Sequence, residues 1–256
     1  MELYKGYTTK DLLLDKPCNL AGICTIYPIK VVEQDEFYKY AKYLILGREH
    51  LHLPNEITLL DGIILIYTKA YEEVLKDKEK AFERTKEELS KLFTMICHKD
   101  IFCDIDEMGL YFHDEDEEIQ ISGENFDTIR LVVMRMNLLR EPKYFEDEYT
   151  QKWYNKALIA REKARGKQPE MDDILLTISV EMKEPLEEIL GLNIFQLYAY
   201  YYRIIHVKNY DASIIFKAVG SKVNVNFSDG IIEDLYKVDD SDLYVDTDEF
   251  ASQFNS

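Results

Sequence analysis

Residues that break helices are scarce in this chain. Only 10 of its 256 residues are glycine and 6 are proline. So few breakers, together with long charged runs, point toward helix-rich structure. Positive charge is also in deficit: 31 Lys and Arg face 49 Asp and Glu, a formal net charge of −18. Such a balance argues against gripping a phosphate backbone. It fits a soluble protein with basic partners, or one that keeps apolar clients in solution. Long apolar runs are missing too. The longest, Ile57 to Tyr67, is interrupted by Asp61 and Gly62 and is too short to span a bilayer. The N-terminal MELYKGYTTK has none of the apolar stretch of a leader. The expectation is a cytosolic protein, without membrane or nucleic-acid partners, whose four cysteines stay reduced.

Catalytic and metal signatures are absent as well. There is no P-loop, no GxGxxG after a strand, no GxSxG and no HExxH. Cys18 and Cys24 are spaced like Cys97 and Cys103, with His98 and His113 near the second pair, but zinc ligands come in tighter pairs. The cysteines read as small buried apolar residues. His50 and His52 would share a face of a strand and lack a third ligand. The acidic run Asp114 to Glu118 lacks the oxygen spacing and central glycine of a calcium loop, so it reads as a solvated hairpin tip. No catalytic residue, cofactor or metal is expected.

What is present is helical periodicity. LAGICTIYPIKVV (20–32) reads as extended, with a turn at Pro28. Phe37, Tyr40, Ala41, Leu44 and Ile45 mark the buried face of a helix that stops near Gly47. Asn55 is a candidate cap for the next helix, with Glu56 in its first turn. Tyr71, Val74, Leu75, Phe82, Leu89, Leu92, Phe93 and Ile96 predict one helix from Tyr71 to Ile96. Two short apolar runs, Leu110 to Phe112 and Ile119 to Ile121, predict a β-hairpin. Phe126, Ile129, Val132, Val133 and Met136 predict a helix over 125–139. ARGKQPE is the clearest loop. DDILLTISVEM should start on an Asp cap and bury Ile174, Leu175, Ile178 and Met182. Residues 213–236 mix helical and extended signals.

Aromatics concentrate in LGLNIFQLYAYYYRI, residues 190–204. Asn193 and Gln196 have the spacing of a capping box, so a helix should begin at Ile194. Ile194, Leu197, Tyr198, Tyr201 and Ile205 share one face, and Gln196, Tyr200 and Arg203 form a thin polar stripe. Tyrosine combines a large apolar ring with a hydroxyl that needs a partner. The helix is therefore either the centre of a C-terminal core or a docking edge, and the candidate partner-binding residues are Tyr198, Tyr200, Tyr201, Tyr202 and Arg203.

The segment order resembles a known family. CTIYPIKV is followed by the helix FYKYAKYLIL, then ENFDTIRLVVMRMN, then MDDILLTISVEMKEPLEEILGLNIFQLYAYYYRI. This arrangement, over about residues 20–45 and 123–210, resembles the tail assembly chaperones of long-tailed bacteriophages that infect Gram-positive bacteria. The chain departs from that pattern after Lys217, where the family's tryptophan-containing segment is missing. The resemblance implies a non-enzymatic chaperone in the cytoplasm of the infected host. It would bind the tape-measure protein and tail-tube subunits during tail morphogenesis. Two other functions stay open: a structural virion component of the baseplate or tail-completion type, and an acidic inhibitor or DNA mimic acting on a host protein. Homo-oligomerisation is open as well. The expected fold is mainly α (α+β), a helical bundle with a small hairpin and a short N-terminal extended segment. Its expected divisions are a helical lobe over 1–100, a hairpin with a C-terminal helical lobe over 101–238, and a disordered acidic tail over 239–256.

Overall fold

The computed structural model of the protein describes residues 2–106, 109–165, 169–220 and Leu235. The acidic tail, most of residues 221–236 and the middle of ARGKQPE lie outside them. The fold is mainly α with small antiparallel sheets.

The chain opens with a two-stranded ribbon, β1 (Glu2–Tyr4) and β2 (Tyr7–Thr8), and a one-turn helix α1 (Thr9–Leu13). The extended segment predicted near 20–32 is instead a hairpin, β3 (Cys18–Leu20) and β4 (Cys24–Ile26), with Cys18 opposite Ile26 and Leu20 opposite Cys24. Gly22, in the turn, adopts φ +76°, a backbone conformation glycine reaches without a Cβ penalty. Helix α2 (Gln34–Ile45) buries Phe37, Tyr40, Ala41 and Leu44, as their spacing predicts, and Tyr43 in addition.

The next two helices differ from expectation at their starts. α3 (Leu59–Leu75) is capped by Thr58, not Asn55: the Thr58 hydroxyl accepts the Asp61 amide at 3.2 Å and donates to the Asp61 carboxylate at 2.6 Å. Thr58 and Asp61 thus satisfy each other, which an Asn55 cap followed by Glu56 does not arrange. The single helix predicted over 71–96 is broken at Lys76, which takes left-handed φ, and α4 (Lys78–Cys97) restarts on Asp77. Asp77 accepts the Lys80 amide at 3.1 Å. An Asp competes well for such a cap, and the continuous apolar stripe masks the break. α3 and α4 fold back on each other as a helical hairpin. Val74 and Leu75, predicted to be buried, are exposed at its tip.

Strands β5 (Phe102–Asp106), β6 (Gly109–His113) and β7 (Gln120–Ser122) form an antiparallel meander. The predicted pairing of β6 with β7 is present, Phe112 opposite Ile121, and β5 is an extra strand. The tip is not freely solvated. Asp114 is buried, accepts the Ile119 amide at 2.9 Å and pairs with Lys99 at 2.5 Å. Helix α5 (Phe126–Met136) buries Phe126, Ile129, Val132, Val133 and Met136.

One apolar core joins residues on both sides of position 100. Leu20, Ile26, Phe37, Leu44, Leu92, Phe93, Phe112, Phe126 and Val133 belong to it, and so do Ile194 and Phe195. Cys18, Cys24 and Cys97 are buried and Cys103 is half-buried, all as free thiols. Burial pushes Cys18 to about 11 and Cys103 to about 12, which makes them poor nucleophiles. Among the described residues no cluster of His, Cys, Asp and Glu could hold a metal ion, and no helix is long and apolar enough to cross a membrane. His50 and His52 lie in a turn rather than on a strand.

The C-terminal helices are α6 (Glu148–Arg165), α7 (Met171–Met182), α8 (Leu186–Leu190) and α9 (Ile194–Ala218). α7 starts on Glu170 rather than Asp172. It buries Ile174 and Ile178, while Met182, predicted to be buried, is 40% exposed, because the helix ends there at Lys183. Ile174, Ile178, Ile189 and Leu197 form a second, smaller core, closed from the N-terminal side by Val31.

Candidate functional site

Helix α9 begins where its capping box predicts. Asn193 Oδ1 accepts the Gln196 amide and Gln196 Oε1 accepts the Asn193 amide, both at 2.8 Å. The same two side chains also reach the N-terminal region. Asn193 Nδ2 donates to Leu12 O at 3.0 Å and to Asp15 Oδ1 at 2.8 Å, and Gln196 Nε2 donates to Leu13 O at 2.9 Å. The Ile194 amide adds a bond to Ile29 O, and the Val31 amide bonds Leu192 O. Gln196, assigned to a polar stripe by periodicity, is therefore buried. Its amide is satisfied by backbone, so a polar residue enters the core at little cost.

The first six residues of α9 are buried or half-buried on all sides. The candidate tyrosines follow. Tyr198 is half-buried between the two cores, and burial raises its phenol while the Gln34 amide opposes the shift. Tyr200 and Tyr201 pack half-buried on the second core. Tyr202 is half-buried on another side of the helix, and Arg203 is exposed. The five candidates therefore ring the helix and do not line one open groove.

The open surface lies further along. Tyr200, Val207 and Ile214 recur every seven residues, and Ile204 and Ile215 lie beside them, so one stripe runs down the helix. Ile204 packs on the second core. Ile214, Ile215, Phe216 and Val219 are 44%, 64%, 57% and 76% exposed. The same stripe that packs near residue 200 is uncovered fifteen residues later. The outer side of α7 adds exposed Leu176 and Val180. This surface was missed because periodicity marks a face as apolar without saying where the covering elements end.

Helix α6 has no buried residue among those described and exposes Tyr149, Trp153 and Ile159. It carries Lys152, Lys156, Arg161, Lys163 and Arg165 against Glu148 and Glu162, a basic segment in an acidic chain.

A polar cleft of about 760 Å³ is lined by Gly47, Arg48, His50, Asp127, Arg130, Glu141 and Tyr144 among others. Arg130 is 2% exposed and contacts Asp127 at 3.1 Å and Glu141 at 2.7 Å. Sequence spacing shows the Asp127–Arg130 pair, but not that a carboxylate eleven residues on returns to the same guanidinium.

The most perturbed carboxylate ties α2, α3 and α4 together. Glu88 Oε2 accepts Lys42 Nζ at 2.6 Å, Tyr71 OH at 2.7 Å and Tyr43 OH at 2.9 Å, and Oε1 accepts Arg84 Nε at 3.0 Å. Burial alone would raise Glu88, but these donors outweigh it and hold the carboxyl at about 2.

Comparison with known proteins places the C-terminal part first. A family model described as "YomV second domain" matches residues 162–229, the region of α7, α8 and α9. A particular relative follows: the "SPbeta prophage-derived uncharacterized protein YomV" of Bacillus subtilis (strain 168) is 26% identical over 106 residues. The match spans 41% of this chain and 44% of that protein, so the chain aligns with less than half of its relative. The similarity is thus to a prophage-derived protein. No solved structure matches.

Proposed function

We propose that the chain is a non-enzymatic phage protein that binds an apolar helix of a partner along the outer half of α9, and that it serves as a tail assembly chaperone. The observation that carries the reading is the exposed apolar end of α9, where Ile214 and Ile215 extend the line of Tyr200, Ile204 and Val207 that packs internally, with Phe216 and Val219 exposed on the adjoining sides. Contiguous exposed apolar surface of this kind marks interaction sites in soluble proteins. An amphipathic helix receives another helix through i, i+3, i+4 and i+7 anchors. The half-buried Tyr200, on the same line, would form the inner end of the site. The prophage origin of the relative and the segment order described above support the morphogenetic role. The most perturbed carboxylate, Glu88, is held by four donors, which leaves it poorly placed to move protons. No cofactor is needed.

In this reading the partner is the tape-measure protein, and tail-tube subunits are recruited to the loaded complex. Co-expression with the tape-measure protein of the same phage tests it. The expected result is a soluble complex and more soluble tape-measure protein. Absence of both would remove the chaperone reading. Stoichiometric amounts of the chain in purified particles would favour a virion component instead.

A further inference from the structure

Arg130 projects from α5 into the cleft with almost no exposure, and a buried guanidinium needs compensating charge. Asp127, one turn earlier on the same helix, supplies part of it. Glu141 supplies the rest from the strap between α5 and α6, which has no helix or strand. Its fit is incomplete. Oε2 lies 2.7 Å from Nη2, yet Nη2 and Nε both end without a hydrogen-bond acceptor. His50 flanks the other oxygen with Nδ1 3.5 Å from Oε1, too far for a hydrogen bond, and both its ring nitrogens are buried without a partner. Gly47 forms the wall. A Cβ there would lie 1.6 Å from Glu141 Oε1, so beside any other residue this carboxylate would have to move from its present position.

We propose that Gly47, His50 and Arg130 form a carboxylate-binding seat, filled in cis by Glu141 when the protein is alone and taken by an acidic residue of a partner. The leftover donors are what an incoming carboxylate of better geometry would satisfy. Glu141 is 37% exposed and leaves by swinging into solvent. Tyr144, whose hydroxyl lies 3.1 Å from His52 Nε2, tethers the strap meanwhile. The cleft gives an entry lined by Arg48 and Lys143. A planar carboxylate suits the guanidinium fork, and Asp127 at 3.1 Å opposes the second charge of a phosphate dianion. The proposal goes beyond helix docking on α9 and does not depend on it.

The test is thermal unfolding of E141A in acetate, phosphate and chloride at matched ionic strength. Acetate is expected to raise the Tm of E141A toward the wild-type value, and to leave wild type and R130M/E141A unmoved. No response of E141A overturns the seat, and an equal response to phosphate overturns its selectivity for carboxylate. If E141A does not fold, E141Q keeps the side-chain shape. Acetate should then shift its His50 imidazole resonances, and unchanged resonances overturn the seat. A labelled Glu-rich peptide should bind the folded Glu141 variant about 10-fold more tightly than wild type, because competition in cis is gone. Equal affinity would overturn the occupation by Glu141.

Discussion

Asn193 and Gln196 show how much depends on the choice of an amide over an acid. Each uses its oxygen to cap α9 and its nitrogen to hold the chain around α1. Aspartate at 193 would keep the cap but lose the donor and face Asp15. N193D is therefore expected to be at least as destabilising as N193A, by about 2 kcal/mol, in urea unfolding at neutral pH. An ordinary N-cap would show the opposite order. Glu88 makes the second residue-scale prediction. Its folded value of about 2 lies below the ordinary 4.5. Its contribution is thus fully present above pH 4.5 and is lost as pH falls toward 2. Between pH 5 and pH 3, E88Q should lose less stability than wild type, and at pH 7 it should be less stable by about 2 kcal/mol. Identical pH profiles would remove Glu88 as the cause. The capping box was legible because its partners are three residues apart. The hydrogen bond from Asn193 to Leu12 and the ion pair between Glu141 and Arg130 were not, since only the fold brings those residues together.

Among the elements, apolar faces were read well and ends less well. The periodicity found most of the buried faces of α2 and α5, but Ile45 is only half-buried, and Tyr43, Arg130 and Met134 are buried in addition. The break between α3 and α4 was hidden because the stripe continues across Lys76 and Asp77. D77A removes the side chain that accepts the Lys80 amide. It should cost about 1 kcal/mol and increase amide exchange in the first turn of α4. Unchanged exchange there would mean that tertiary packing alone fixes the helix start. On α9, the pattern revealed an apolar helix but not that its cover gives out before Ile214. Replacing Ile214 and Ile215 together by glutamate should leave the unfolding free energy within about 0.5 kcal/mol of wild type, as expected of surface positions. A large loss of stability would place these residues in a fold contact instead.

For the whole molecule, the acidic balance and the uncovered helix fit one account. A net charge of −18 favours solubility in a chain that presents isoleucine and phenylalanine to water. The second core is small and closed by Val31, so the α7–α9 region depends on the N-terminal half for its seat. That seat holds only the inner part of α9 and leaves Ile214, Ile215, Phe216 and Val219 exposed. Hydrogen exchange of the protein with and without a tape-measure fragment addresses this claim directly. The account predicts new protection concentrated at residues 205–219, with the buried start of α9 unchanged. Binding that protects other segments, such as α6, and leaves 205–219 exchanging as before would contradict it.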